Sequence, residues 1–264
     1  MHSMDSDPKA ATTRRMSNPL FNEERWNNAE RAGDEIMTIN GAIKKTGFLM
    51  LILILTFGAT WDSLSRTHLV FGMALGPAIL VAAITGVVLV LIAMFAPRTT
   101  AVTGTLYALA EGLVLGAISW IYNEKFHGLP ILAAALTIGT LVGMLFLYTN
   151  RILQATPMFT KVIVGATAGL ALGIGLLFIL NLFSVGQGLT GALYGSGWIG
   201  IGFSVVCVGL AAFNLIVDFG FIESAAQAKA PKYMEWVGAL GLVITLVWLY
   251  LEILRLLAKL QSNR

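Results

Sequence analysis

Carboxylates stand inside or at the edge of runs that are otherwise hydrocarbon. Glu111 lies in YALAEGLVLGAIS, Asp218 in NLIVDFGFIES, and Glu235 and Glu252 near the two ends of EWVGALGLVITLVWLYLEILRLL. A charge at the centre of a bilayer costs about 2.5–3.5 kcal/mol on insertion scales, so chains keep such groups facing an interior or a watery path. The chemistry open to them there is proton binding and ligation of a hard cation through oxygen. Two acids within hydrogen-bond reach share a proton and titrate as a unit.

Each acid has a plain reading beside the chemical one. Glu111, in mid-run, is either a neutral acid hydrogen-bonded to a neighbouring helix or a proton or cation site. Asp218 is followed by Glu223 and then by Glu235, which gathers acids around one loop where Lys229 and Lys232 offset part of the charge. Glu252 stands seven residues after Thr245, on the same helix face, and three before Arg255, the spacing of an ion pair. Other chemistry finds little support. His2, His68 and His127 lie outside the apolar runs, there is no HExxH zinc motif, and Lys259 lies beyond the end of the last run, where it cannot hold a retinal. Cys207 is the only cysteine and reads as packing. No nucleophile–base pair is present in the runs, so the expectation is a non-enzyme without cofactor, resident metal or nucleic-acid partner.

What positions these groups follows from composition. Of the 264 residues, 57% are apolar and 12% charged, about half the charged share of a soluble domain. The chain is therefore expected to be an all-α integral membrane protein. A bilayer core needs roughly 20 apolar helical residues, and seven runs qualify: 46–61, 69–96, 99–122, 129–148, 162–185, 192–217 and 236–257. The first is short and must borrow from its flanks; the second is long enough to tilt. Residues 1–45 form a polar arm of mixed charge, and 46–264 the membrane domain. Twelve of the seventeen Lys and Arg fall on the side of the arm, which places the N-terminus in the cytoplasm. Asp218 would then close the sixth span at its cytoplasmic end. Glycines at four-residue spacing, Gly112 and Gly116, and Gly165, Gly169 and Gly173, read as close helix packing within one bundle, with a face for weak homo-oligomers as the lesser alternative.

YALAEGLVLGAIS, VDFGFIES and the ending LYLEILRLL, taken together in order and spacing, resemble the Bax inhibitor-1 / YccA family over roughly residues 21–262, with WLYLEILRLLAKL and the long arm resembling a bacterial branch. The resemblance implies seven helices with the last one central inside a ring of six, a bacterial inner-membrane location, and a pH-modulated cation leak, usually for Ca²⁺. It also implies a proton-sharing pair of aspartates. Asp218 matches the first. The second would lie ten residues before Arg255, where this sequence has Thr245, so Glu252 or Glu235 would have to substitute. An alternative reading is a membrane regulator whose arm binds another membrane protein, such as an AAA protease.

Overall fold

The computed structural model describes residues 36–184 and 187–263. Most of the polar arm, and with it the reading of the arm as a docking segment, lies outside them. The described chain is a helical bundle: α1 (Ile39–Thr67), α2 (Leu75–Phe95), α3 (Thr100–Lys125), α4 (Leu129–Thr149), α5 (Pro157–Leu182), a short α6 (Gln187–Tyr194), α7 (Trp198–Gln227) and α8 (Met234–Ser262). Among the described residues, all of these except α6 are long and apolar enough to cross a membrane.

The first helix does borrow from its flanks. It starts seven residues before the expected run because Thr38 caps it, the hydroxyl accepting from the Gly41 N–H at 2.9 Å. The second is shorter than expected: residues 70 and 73 exchange backbone hydrogen bonds at 2.9 Å, closing a turn before Leu75. The fifth and sixth spans also move. Apolar residues 192–197 belong to the end of α6 and a turn, and α7 runs on to Gln227, nine residues past Asp218. Asp218 is thus inside a helix, on the order of 13 Å from its end at ~1.5 Å per residue, and the helix runs on past the point where the apolar run closes.

The last helix is central. Two thirds of its apolar window (67%) is buried, against 6% for α5. α8 packs on α1, α3, α4 and α7; α2 leans on α3, and α5 on α7. The collar around α8 is therefore made mainly by four helices, with two outriggers, in place of an even ring of six. Leu215, Leu249 and Leu254 are fully buried at its centre. The α1–α3 seam depends on Gly112 and Gly116: a Cβ there would lie 2.5 Å from the Leu53 carbonyl oxygen and 2.8 Å from that of Phe57. Such close backbone approach is what small residues permit in lipid. Gly165, Gly169 and Gly173 have open space where a Cβ would go, so the internal packing expected of them is not formed.

Candidate functional site

Helix α7 carries polar residues that each meet a different part of the bundle. Near its start, the Ser204 hydroxyl accepts from the Lys259 ammonium of α8 at 2.8 Å. Asn214 Nδ2 donates to the Thr167 hydroxyl of α5 at 2.8 Å. One turn later Asp218 turns to α8. Near the C-terminal end, Glu223 accepts from Arg151 at 2.7 Å and from the Tyr148 hydroxyl. That carboxylate holds the Arg151 guanidinium protonated even more firmly than usual.

Asp218 faces two successive positions on one side of α8. Its Oδ1 lies 3.7 Å from where a Cβ of Gly241 would be, and Thr245, one turn on along the same face, stands beside the carboxyl. Thr245 is buried. The other oxygen, Oδ2, is buried with no hydrogen-bond partner. The absence of a side chain at Gly241 leaves room for the carboxyl against the central helix. The result is a carboxyl inside the span with half of its acceptor capacity unused, a rare state for a buried polar group.

The other sequence candidates are not brought to it. Glu235 is buried at the start of α8, where it accepts from the Thr38 N–H at 2.9 Å, from the Thr38 hydroxyl at 3.1 Å and from Lys45 at 2.5 Å. It caps the N-terminus of α1, where a negative charge is favoured by the helix dipole. Gly41 makes this possible, since a Cβ there would strike the carboxylate. Glu252 is buried and pairs with Arg255 at 2.6 Å, the ion-pair alternative of the sequence reading; its Oε2 has no partner. Along α8, Glu235 and Glu252 stand roughly 15 Å and 10 Å from Thr245 at ~1.5 Å per residue. The acids expected around Asp218 are therefore replaced by a hydroxyl and a glycine. Glu111 is hydrogen-bonded by Tyr107 of its own helix, one turn back, and its Oε1 fills the space beside Gly86 of α2. It belongs to the α2–α3 seam.

Three partner residues had no clear sequence signal. Lys259, which the sequence places beyond the end of the last run, turns inward: it is buried and donates to the carbonyls of Leu193 and Gly200 as well as to Ser204, each at 2.8 Å. Tyr148 and Arg151, which fasten α4 and its following loop to Glu223, are far away in sequence. Thr245 did carry a signal, through its spacing from Arg255.

A family model described as Bax inhibitor 1 like matches residues 18–262. The chain belongs to that family. No curated protein and no solved structure matches it. Within this Bax inhibitor 1 like frame, the last helix is central, as the resemblance implied, and the carboxyl of α7 faces it nine residues before α7 ends. The α8 position facing that carboxyl holds Thr245, and no second acid has moved in from Glu235 or Glu252. Among the described residues, no three His, Cys, Asp or Glu gather as a metal site would require.

Proposed function

We propose that this chain is a proton-modulated leak for hard cations, with Ca²⁺ as the expected ion and Asp218 as the titrating group. The observation that supports this is the Asp218 carboxyl, held between α7 and α8 with Oδ2 buried and unpartnered. A buried carboxylate without a counter-charge is unstable, whereas the neutral acid needs only a hydrogen bond. Loss of the proton therefore creates a demand at this one point for water or a cation. The demand is met by parting the α7–α8 seam, after which Oδ2 and the Thr245 hydroxyl offer oxygen ligands of the kind that Ca²⁺ prefers. Regaining the proton lets the seam close.

On this reading, flux rises with pH, and it does so with the steepness of a single proton, because one acid and not a coupled pair is present. The excess of Lys and Arg on the side of the arm supports an N-terminus in the cytoplasm, and the family resemblance is the ground for a bacterial inner-membrane location. The test is Ca²⁺ flux through the purified chain in liposomes between about pH 5 and 8, the window in which a histidine or a perturbed carboxyl titrates. Wild type is expected to show a pH-dependent flux, and Asp218→Asn a flux independent of pH with the bundle still folded. An Asn variant that keeps the wild-type profile would remove Asp218 from the mechanism.

A further inference from the structure

On the side of α8 away from Asp218 lies a cavity of about 630 Å³. With 3.6 residues per turn, Val247 points opposite to Thr245, and it forms the floor of this cavity with Leu246 and Tyr250. The walls are α1, from Met50 to Trp61, and α4, from Pro130 to Leu141. These two helices do not pack on one another. Ile54, Ile131 and Ile138 line the cavity and are also exposed, so its open side faces outward between α1 and α4.

We propose that this groove holds one acyl chain of a bilayer lipid, from the leaflet that meets the C-terminal end of α1. Three observations select that occupant. The first is position and length: the groove runs beside α1 from Met50 to Trp61, on the order of 16 Å at ~1.5 Å per residue. That is half of a hydrocarbon core of about 30 Å, the depth of one leaflet. The second is chemistry. The lining is almost wholly apolar, and its hydroxyls are already engaged: Tyr250 bonds Ser119 at 2.6 Å and Thr137 donates to the Ala133 carbonyl at 2.8 Å. A polar ligand would find no partner in the depth of the groove. At the end away from Met50, by contrast, stand the polar Asn123 and Trp61, and Trp is a residue type enriched at the level of lipid headgroups. The third is size. A cavity of 630 Å³ is within the range of about 300–1,000 Å³ for small-ligand sites.

The groove leads directly onto the central helix, so the chain it holds packs on α8 from behind while Asp218 meets it in front. The binding itself does not rest on the leak reading, and its test involves no flux. The purified full-length protein is exchanged into mild detergent with palmitoyl-oleoyl phosphatidylglycerol and weighed intact by native mass spectrometry. Wild type is expected to retain one lipid per chain. Gly58 lines the groove with open space beyond it, so Gly58→Leu fills the site without touching backbone. Occupancy should fall about tenfold, a change of about 1.4 kcal/mol in binding, with circular dichroism unchanged. Ala134→Leu, on the opposite wall, serves the same purpose should the first variant not fold. Equal lipid retention in wild type and filled variant overturns the proposal, as does a wild type that retains none. A protein dimer that Gly58→Leu dissociates also overturns it, in favour of a second copy as the occupant.

Discussion

Removing the cation from the Glu235–Lys45 pair should cost much more than removing the anion. The side chain of Glu235 is 3% exposed and that of Lys45 18%. Lys45→Met leaves the carboxylate in place with its two Thr38 bonds but without a counter-charge. Stranding one member of a buried pair costs about 3–5 kcal/mol. Glu235→Gln leaves the ammonium on a long stem that can turn to water or headgroups. The amide oxygen still accepts from Thr38, so the loss is that of a charged hydrogen bond, about 1.5–3 kcal/mol. The double variant should cost less than the sum of the singles, because the stranded charge is gone. Chemical denaturation in detergent micelles, followed by tryptophan fluorescence, gives all three values. Equal single costs, or an additive double, would show that the pair is not closed in the folded protein. In liposomes, Glu235→Gln should leave the pH profile of flux unchanged, since Glu235 locks α1 to α8 and does not reach Asp218. A flattened profile in that variant would refute the separation of lock from sensor.

Thr245→Asp sets a second carboxyl against Asp218; the flux–pH curve should steepen toward two-proton behaviour, and an unchanged slope would show that the two positions do not meet. Glu111→Gln keeps a group for Tyr107 to bond and should leave flux and stability near wild type. Glu111→Ala strands the buried tyrosine hydroxyl and should cost about 1–3 kcal/mol in the same denaturation assay. Gly112→Leu drives a side chain into the Leu53 carbonyl and should lower stability by about 1–3 kcal/mol or more. Gly169→Leu, with open space beyond it, should not; equal effects at the two sites would contradict the α1–α3 seam.

Much of this was legible in the sequence because lipid imposes a simple rule: long apolar runs must be helices. The seven spans and the central last helix follow from that rule and from the family resemblance. The limits of the spans were harder, for a physical reason. A membrane boundary is not a helix boundary, so α7 continues through Asp218 and Glu223 to Gln227. Conversely, residues 192–197 are apolar enough to resemble a span while forming the end of α6 and a turn. At the site, the family resemblance pointed to Thr245, but nothing in the sequence told what stands opposite Glu235. Lys45 lies 190 residues away from it, and only the folded α1–α8 contact brings them together. Lys259 misled because a long cation near a helix end ordinarily reaches outward; here two carbonyls and a hydroxyl turn it inward.

The arrangement of neighbours also fixes an order of assembly. Helix α5 rests on α7, which is synthesised after it, so α5 must first cross the bilayer with hydrocarbon as its only support. Its nearly continuous apolar surface, 6% buried even when folded, suits it to that. Helix α8 is the opposite case. It is made after α1, α3, α4 and α7, yet all four close around it. The α1–α3 seam can form before it arrives, but the faces of those four that rest on it stay open until then. Individual spans insert independently, and association follows as a second stage. The helix that completes the core is therefore synthesised after the helices that close around it, and it is the one bearing the Asp218-facing residues, Gly241 and Thr245.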